Sequence, residues 1–372
     1  MNRLLVYIKR YMQWTLLLML FVCNQVWADK PFNVHTIVSG LEHPWGMAFL
    51  PDGRILVTER PGRLRLIENN QLHSNPISGL PSIAAVGQGG LLDIILHPDY
   101  KKNGWLYFSY SAVGPDGIGT EVARAKLDGM ALKDMQVLFR MQPKSRGGRH
   151  FGSRLAIDHD HYLYITVGER GDRPRAQRLD DHGGSVIRLH DDGRVPANNP
   201  FVNLRNAKPE IFSYGHRNPQ GLALHPKSGD VWAHEHGPQG GDEINIIMPG
   251  RNYGWPVITY GVNYVIGTKI GEGTKKRGME QPLYYWDPSI APSGMAFYTG
   301  NKFPQWRDNL FIGSLKFRLL VRLELDGSRV VREERLLKGE LGRIRDVANG
   351  PDGYLYLLTD EANGKLVQLV PK

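Results

Sequence analysis

From about residue 30 onward, short apolar stretches alternate with turns, and one two-strand unit recurs along the chain. Each copy has an apolar strand, a turn built from Pro, Asp, Gly or His, and a second strand rich in aromatic and β-branched residues. The six copies span residues 46–59, 91–111, 154–169, 221–237, 295–314 and 346–361. Their starts lie 45 to 74 residues apart, enough for a four-stranded blade and its loops. The pattern predicts an all-β fold, a six-bladed β-propeller whose four-stranded antiparallel blades surround a central channel.

The two ends of the chain indicate how such a ring closes. The strand VHTIV at 34–38 is expected to pair with KLVQLV at 365–370. The alternative is a β-sandwich, or two smaller β domains with similar hairpins. Gly and Pro number 43 and 24, which fits frequent turns, and the 10% aromatic and 22% charged residues exclude a disordered chain.

The first 28 residues have the layout of a secretory signal peptide. Arg3, Lys9 and Arg10 precede an apolar stretch at 14–22, and Ala28 provides a small residue at the expected cleavage site. We therefore predict a cleaved signal at 1–28, a single propeller domain at 29–372 and a soluble protein that is periplasmic or secreted. The alternative is a permanent anchor, although the apolar stretch is shorter than the ~20 residues that span a bilayer.

Cysteine content and charge narrow the classes of function. Cys23 is the only cysteine, which excludes a disulfide scaffold and Cys-based metal sites. Removing residues 1–28, with three basic and no acidic side chains, lowers the formal net charge from +9 to +6. This modest balance fits solubility and a local anion site better than nucleic-acid binding.

Glycine-rich loops between the hairpins hold the first candidate functional residues. Segments 87–94 and 147–155 place Gln88 and His150 among glycines that let a ligand approach the backbone. Glu169, at the end of a predicted strand, could orient the His150 imidazole and stabilise its charged form. The alternatives are a hydrogen-bonded structural role for His150 and a surface salt bridge for Glu169.

Two further loops combine cationic, amide and acidic groups. Arg217 and Asn218 precede Pro219, which holds them in an extended, rigid segment. The segment HGPQGGDEIN at 236–245 offers carbonyls and carboxylates, the ligands that a hard cation such as Ca²⁺ selects. A glycine-rich turn capped by acidic side chains is the alternative. The two histidines of HEH at 234–236 lack the spacing of a common zinc motif, so zinc is not expected.

Basic residues near blade boundaries form the last candidate group. Lys316 follows one predicted hairpin, and Arg343 and Arg345 alternate so that both guanidinium groups would lie on one face of a strand. This geometry suits a polycarboxylate or phosphate, and a solvated face is the alternative. No G-x-S-x-G, Walker or dinucleotide motif is present, which argues against common hydrolase, nucleotide and NAD chemistry.

Taken in order, the motifs resemble those of one known family. They are GQGG, the His in GGRHFG, GER, SYGHRNPQG, EHGPQGGDEIN, NYGWP, APSGMAFY, SLK, and RIRD followed by GPDGYLYLLTDE. Over 33–370 the chain resembles the pyrroloquinoline-quinone (PQQ)-dependent soluble glucose and sorbosone dehydrogenases, in particular their periplasmic aldose sugar dehydrogenase branch. The resemblance implies a six-bladed propeller that holds PQQ and Ca²⁺ in a cleft over the channel.

The resemblance also implies roles for individual residues. His150 corresponds to the general base that takes the proton from the sugar C1 hydroxyl while the hydride passes to PQQ. Glu169 matches its supporting carboxylate, where glucose dehydrogenases carry Asp, and Arg217 would act catalytically near the reacting carbonyl. The matching cofactor contacts are Gln88, Arg217, Asn218, Lys316, Arg343 and Arg345. The matching calcium ligands are the carbonyls of Gly237 and Pro238, with Glu243 and Tyr253 in the same region.

We therefore expect a quinoprotein that oxidises aldoses at C1 to lactones and passes electrons to a quinone or an artificial acceptor. The loops at 112–121 and 262–280 do not align with those of glucose-specific members, so a broad aldose range is expected. No nucleic-acid partner and no stable membrane anchor after signal cleavage are expected. Two alternatives stay open, namely a calcium-dependent propeller lactonase that needs no cofactor and a non-catalytic carbohydrate-binding propeller.

Overall fold

The computed structural model describes residues 30–372, of which Val34–Pro371 form one compact unit. The predicted signal peptide at 1–28 lies outside the described residues. Within them the strands form six four-stranded antiparallel sheets, so the fold is the six-bladed β-propeller that the sequence pattern predicted. Between residues 30 and 372, no helix has both the length and the apolar character needed to cross a bilayer.

Blades 1 to 3 follow one another along the chain. Blade 1 contains β2 (Pro44–Phe49), β3 (Ile55–Glu59), β4 (Arg63–Glu68) and β5 (Gln71–Leu72). Blade 2 contains β6 (Leu91–Leu96), β7 (Trp105–Gly114), β8 (Gly117–Asp128) and β9 (Ala131–Arg140). Blade 3 contains β10 (Leu155–Ile157), β11 (Tyr162–Val167), β12 (Ser185–His190) and β13 (Ile211–Tyr214).

Blades 4 to 6 complete the ring. Blade 4 contains β14 (Pro219–Leu224), β15 (Val231–Glu235), β16 (Asp242–Ile246) and β17 (Tyr284–Trp286). Blade 5 contains β18 (Pro292–Phe297), β19 (Leu310–Ser314), β20 (Leu319–Asp326) and β21 (Arg329–Leu336). Blade 6 contains β22 (Ile344–Asn349), β23 (Leu355–Thr359), β24 (Gly364–Pro371) and, at its edge, β1 (Phe32–Leu41). Because β1 pairs with β24, the predicted closure by 34–38 and 365–370 is confirmed.

Helical structure is confined to short connections within the described residues. They are α1 (Tyr100–Asn103) and two 3₁₀ turns, η1 (Arg173–Gln177) and η2 (Pro304–Trp306).

The six repeats seen in the sequence are the first two strands of each blade, and the first strands of neighbouring blades contact one another. Apolar side chains pack between blades: Leu56 and Phe108 share one buried cluster between blades 1 and 2. Trp232 and Phe297 meet edge to face between blades 4 and 5, with ring centres 5.3 Å apart. The hydrophobic core is therefore divided into layers between the blades, and the channel between the first strands carries polar groups.

A buried arginine connects the blades across the channel. Arg154, directly before β10, places Nη1 3.0 Å from Asp93 Oδ1 on β6 and 2.9 Å from Asp346 Oδ1 on β22. Its Nε donates to the Gln220 carbonyl on β14 at 3.1 Å, and its guanidinium carbon lies 4.2 Å from the centre of the Trp45 ring on β2. Burial opposes the charge of Arg154, but Asp346 and Asp93 outweigh this effect and raise its pKa. One cation, next to the first strand of blade 3, thus contacts residues of four other blades.

Replacing Arg154 with Ala is expected to destabilise the propeller strongly, because Asp93 and Asp346 would stay buried without their cation. Loss of one member of a buried pair typically lowers the free energy of unfolding by about 3–5 kcal/mol. The decrease in the free energy of unfolding should become smaller as the pH falls. Without Arg154 the buried carboxyls have raised pKa values, so the folded variant binds protons more readily than the unfolded chain, and lower pH stabilises the folded state. Denaturant unfolding at neutral and acid pH measures both effects.

The matched control is Arg329→Ala, which removes an exposed ion pair of 2.8 Å with Asp326. Such surface pairs contribute at most about 1 kcal/mol. Equal destabilisation by the two variants would contradict a structural role for the channel cation.

Candidate active site

A cavity of about 950 Å³ opens at the end of the channel where the first strands of the blades begin. Its wall includes His43, Gln88, Ala291 and Arg343, which lie at or just before the starts of β2, β6, β18 and β22. Its volume falls within the range of ~300–1,000 Å³ usual for small-molecule sites. The predicted site residues that line it are Gln88, Gly237, Pro238, Lys316, Arg343 and Arg345.

His150 and Glu169 form a hydrogen-bonded pair beside this cavity. His150 Nδ1 lies 2.7 Å from Glu169 Oε2, and the His150 backbone N–H donates to Gln88 Oε1 at 2.7 Å. His150 has φ +54°, so its backbone is in the left-handed region. Its carbonyl packs against Gly168, where a Cβ would lie 2.2 Å from the carbonyl oxygen, so this position requires glycine. An ionised carboxylate can only accept, so Nδ1 carries the proton and Nε2 keeps a free lone pair.

The environment of the pair fixes its charge state. Burial lowers the pKa of His150, the hydrogen bond to Glu169 opposes this effect, and the cation of Arg217 lowers the pKa further. Burial acts to raise the pKa of Glu169, but His150, the Gly171 N–H and Arg217 together outweigh burial, and the net direction is downward. At neutral pH the arrangement is therefore a neutral imidazole held by a carboxylate, as a general base requires.

Arg217 and Asn218 lead into β14 and connect the His150 loop to the glycine-rich loop of blade 4. Asn218 Oδ1 accepts the Gly152 N–H at 3.1 Å. Arg217 Nη1 donates to the Gly237 carbonyl at 2.8 Å and to the His236 carbonyl at 3.1 Å. Arg217 Nε is buried and finds no partner among the described residues. The guanidinium is thus held in place through Nη1, while its buried Nε is unused.

Arg343 and Arg345 approach the same carboxylate, that of Asp360. Arg345 Nη2 lies 2.6 Å and Arg343 Nη2 3.7 Å from Asp360 Oδ2, while His43 Nδ1 lies 2.9 Å from Oδ1. Burial acts to raise the pKa of Asp360, but Arg345 outweighs this effect and the pKa is lowered. Arg345 Nε is buried without a partner among the described residues, and Lys316 is exposed in the same cavity. The cluster keeps an excess of positive charge.

The predicted metal ligands fall at two adjoining places. Pro238 lines the large cavity, Glu243 and Tyr253 line a second cavity of about 10 Å³, and Gly237 lines both. Glu243 lies directly across the β15–β16 ladder from Glu235, which also lines the small cavity. Burial, and after it the charge of Glu235, raises the pKa of Glu243 well above its usual range. Two carboxylates thus share a space of one ion or water.

The phenol of Tyr253 is engaged elsewhere. It donates to the Ile246 carbonyl at 2.5 Å and accepts the Met248 N–H at 2.8 Å. Its ring stacks on His216, with centres 4.5 Å apart. The Tyr253 phenol is therefore already bonded to two main-chain groups.

Several residues that line the large cavity were not predicted as site residues from the sequence. They are His43, Trp45, Arg60, Gln220, His236, Tyr264 and Asp360. His236 Nε2 lies 2.5 Å from the Pro292 carbonyl, and burial lowers its pKa to about 3, so it is a neutral donor to that carbonyl. The repeats contain a signal for Asp360, because in four copies an acidic residue lies at the end of the second strand or within two residues after it.

The four acids hold equivalent partners. Glu59 pairs with Arg63, Glu169 with His150, Glu235 with His216 and Asp360 with Arg345, over distances of 2.6, 2.7, 2.8 and 2.6 Å. Aligning the repeats on this position would have identified Asp360 from the sequence.

Known proteins resemble this chain in sequence and in fold. The chain is 47% identical over 356 residues to aldose sugar dehydrogenase YliI of Escherichia coli, which covers 94% of this chain and 96% of that protein. A glucose dehydrogenase crystal structure superposes with a TM-score of 0.88 at 51% identity, covering 90% of this chain and 99% of the other. The structure of the PQQ-bound aldose sugar dehydrogenase of Streptomyces coelicolor superposes with a TM-score of 0.74 at 29% identity, covering 92% of this chain and 100% of the other.

A family model described as Glucose / Sorbosone dehydrogenase matches residues 41–368. The chain therefore belongs to the glucose/sorbosone dehydrogenase family.

Proposed function

We propose that this protein is a PQQ- and calcium-dependent aldose dehydrogenase that oxidises the C1 hydroxyl of a sugar to the lactone. The observation that carries the proposal is the His150–Glu169 pair, a neutral base with a free Nε2 beside a cation-lined cavity. Family membership supports sugar oxidation over the lactonase and the binding module. Electrons would leave to a quinone or an artificial acceptor.

The large cavity fits a small polycarboxylate such as PQQ. Lys316, Arg343 and Arg345 supply positive charge that Asp360 only partly balances. The buried Nε of Arg345 retains a donor for an anionic group. These three cations, with Gln88, Asn218 and Arg217, would hold the cofactor. When bound, PQQ would supply the two-electron acceptor that no side chain of this protein provides.

The small cavity and its rim fit a hard cation. Glu235 and Glu243 face each other across two strands in a space of about 10 Å³, where a divalent ion would relieve their repulsion. The carbonyls of Gly237 and Pro238 are oxygen ligands of the kind Ca²⁺ prefers. Arg217 donates to the Gly237 carbonyl, so a cation bound there must displace the guanidinium from that carbonyl.

The protein's own residues would then perform the proton chemistry. His150 Nε2 would take the proton of the C1 hydroxyl, and Glu169 would stabilise the imidazolium that results. Gln88 fixes the backbone of the base through its bond to the His150 N–H. The guanidinium of Arg217, once a cation has displaced it from the Gly237 carbonyl, would stabilise negative charge that develops on the reacting oxygen.

We propose a broad aldose range, because the loops at 112–121 and 262–280 do not align with those of glucose-specific members. Segment 262–280 contributes Tyr264 to the wall of the large cavity, whereas 112–121, at the hairpin end between β7 and β8, lines a separate cavity. We further propose that residues 1–28 export the chain to the periplasm and are removed there, which leaves a single propeller domain.

The direct test of function is reconstitution. Purified protein supplied with PQQ and Ca²⁺ should reduce an artificial acceptor dye when an aldose is present. Activity should disappear when Ca²⁺ is chelated before PQQ is added and return when Ca²⁺ is restored. Binding of PQQ without turnover of any aldose would overturn the dehydrogenase assignment, and lactone hydrolysis by the calcium-loaded, cofactor-free protein would favour the lactonase.

Replacing His150 with Gln should lower turnover by at least ~10²-fold, the usual loss when a general base is removed. PQQ binding, followed by the absorbance of the bound cofactor, should persist because the cavity cations are untouched. His73→Gln is the control, since His73 is partly exposed and pairs with Glu68 at 3.2 Å. Full turnover in the His150 variant would remove that residue from the role of base.

Replacing Glu169 with Gln should shift the pH profile in a defined direction. The carboxylate of Glu169 raises the pKa of His150 against burial, so its removal lowers that pKa. The acid limb of kcat/KM should move to lower pH, while the plateau falls by about tenfold or more because the imidazolium loses its partner. Glu169→Asp should restore part of the plateau. An acid limb that stays in place or moves to higher pH contradicts the pairing.

A further inference from the structure

Several exposed apolar side chains lie at or beside the wall of the large cavity. Among the described residues, ten large hydrophobic side chains are exposed. Val86 directly precedes Gly87 and Gln88 of the cavity wall. Three more belong to the segment 264–266, of which Tyr264 lines the cavity. Four of the ten therefore lie on two loops that contribute to one cavity wall.

The segment 264–266 is the tip of an ordered hairpin. Val262 pairs with Lys269 across the hairpin and with Gln239 of the cavity wall. The Asn263 N–H donates to the Thr268 carbonyl at 2.8 Å. The hairpin is therefore fixed to the edge of the cavity by main-chain hydrogen bonds.

The tip presents its apolar side chains to solvent. Tyr264, Val265 and Ile266 are 59%, 97% and 74% exposed. Val265 has φ +72°, an unfavourable backbone conformation for a β-branched residue. Three consecutive exposed apolar residues on a strained turn do not serve the packing of the propeller, which points to a contact outside it.

Positive charge accompanies the apolar tip. Arg173 Nη2 donates to Asn263 Oδ1 at 2.7 Å, which places a guanidinium at the base of the hairpin. Lys269 is exposed one residue pair below the tip, and the exposed run 275–277 reads Lys-Lys-Arg. From 261 to 279 the chain carries four basic residues and one acid, Glu272.

We propose that the hairpin tip 264–266 inserts into the surface of an anionic lipid bilayer, with the cavity mouth facing the membrane. Aromatic and aliphatic side chains enter the boundary between headgroups and acyl chains, and flanking lysines and arginines bind anionic headgroups. The apolar groups lie on two separate loops, at 86 and at 264–266. A fluid headgroup layer accommodates separate insertions, whereas a protein partner of ordinary size requires a continuous complementary area.

The biological consequence of this orientation rests on the proposed function. A lipid-soluble quinone resides in the bilayer, so docking by the cavity mouth would bring the reduced site close to such an acceptor. The binding itself needs neither sugar nor PQQ and can be measured without them, so it succeeds or fails separately from the dehydrogenase assignment.

The test is co-sedimentation of the purified chain with vesicles of phosphatidylcholine, alone or mixed with phosphatidylglycerol. We expect binding to the anionic vesicles that weakens as salt is raised. The double variant V265S/I266S should bind them at least about fivefold less, because the inserted apolar area is lost. V331S, which changes an exposed valine on β21, should bind as the parent does. Equal binding by parent and tip variant, or equal binding to both vesicle types, overturns the proposal.

A site-specific readout separates the tip from the N-terminal apolar stretch. Cys23 is the only cysteine, so a C23S background allows one environment-sensitive fluorophore to be attached at V265C or at V331C. On anionic vesicles the label at 265 should shift its emission to the blue and the label at 331 should not. Identical spectra at the two positions would exclude insertion of the hairpin.

Discussion

The propeller depends on how six blades meet around an axis that no single blade can fill. Arg154 provides the central contact, with one guanidinium nitrogen between Asp93 and Asp346. Burial raises the pKa of both carboxyls, that of Asp346 to about 6, so the arrangement holds only while the cation is in place. Close approach also requires small neighbours. A Cβ at Gly294 would lie 2.2 Å from Asp346 Oδ1, and one at Gly46 would lie 2.9 Å from Asp93 Oδ1. The channel is therefore a charged, close-packed floor beneath the cavity.

The same device, an acid holding a base or cation, recurs one layer above this floor. In four blades a carboxylate at the end of the second strand, or within two residues after it, holds an arginine or a histidine. The repeated blade structure places the carboxylate, and the side chain that pairs with it determines what the pair can do chemically. Glu59 braces arginines of its own blade, whereas Glu169 holds His150, whose second nitrogen is left free. A structural repeat thus becomes a proton-transfer pair by a change of partner.

The fold could be predicted from the sequence because its signals are local. Period-two strands and their turns lie within about twenty residues of each other, and each repeat became the first hairpin of a blade. The candidate site was predictable where glycine-rich loops expose polar residues, as at Gln88 and His150. It was not predictable for His236, Trp45 and Tyr264, because their position in the cavity depends on loops from different blades meeting across the channel. Likewise, nothing near Tyr253 in sequence reveals that its phenol bonds to Ile246 and Met248.

Partial neutralisation of charge explains how the protein can keep several cations in the cavity wall and still fold. A cluster of free cations would repel itself, and a fully paired one would have no donors left for a ligand. Asp360 neutralises part of this positive charge, since its two carboxylate oxygens contact His43, Arg343 and Arg345. Arg345 Nε and Arg217 Nε nevertheless stay buried without partners among the described residues. Unpaired buried donors are costly in a resting fold. Arg345 lines the large cavity and Arg217 the small one, and under the proposed function a bound anion would supply the partner that Arg345 Nε lacks.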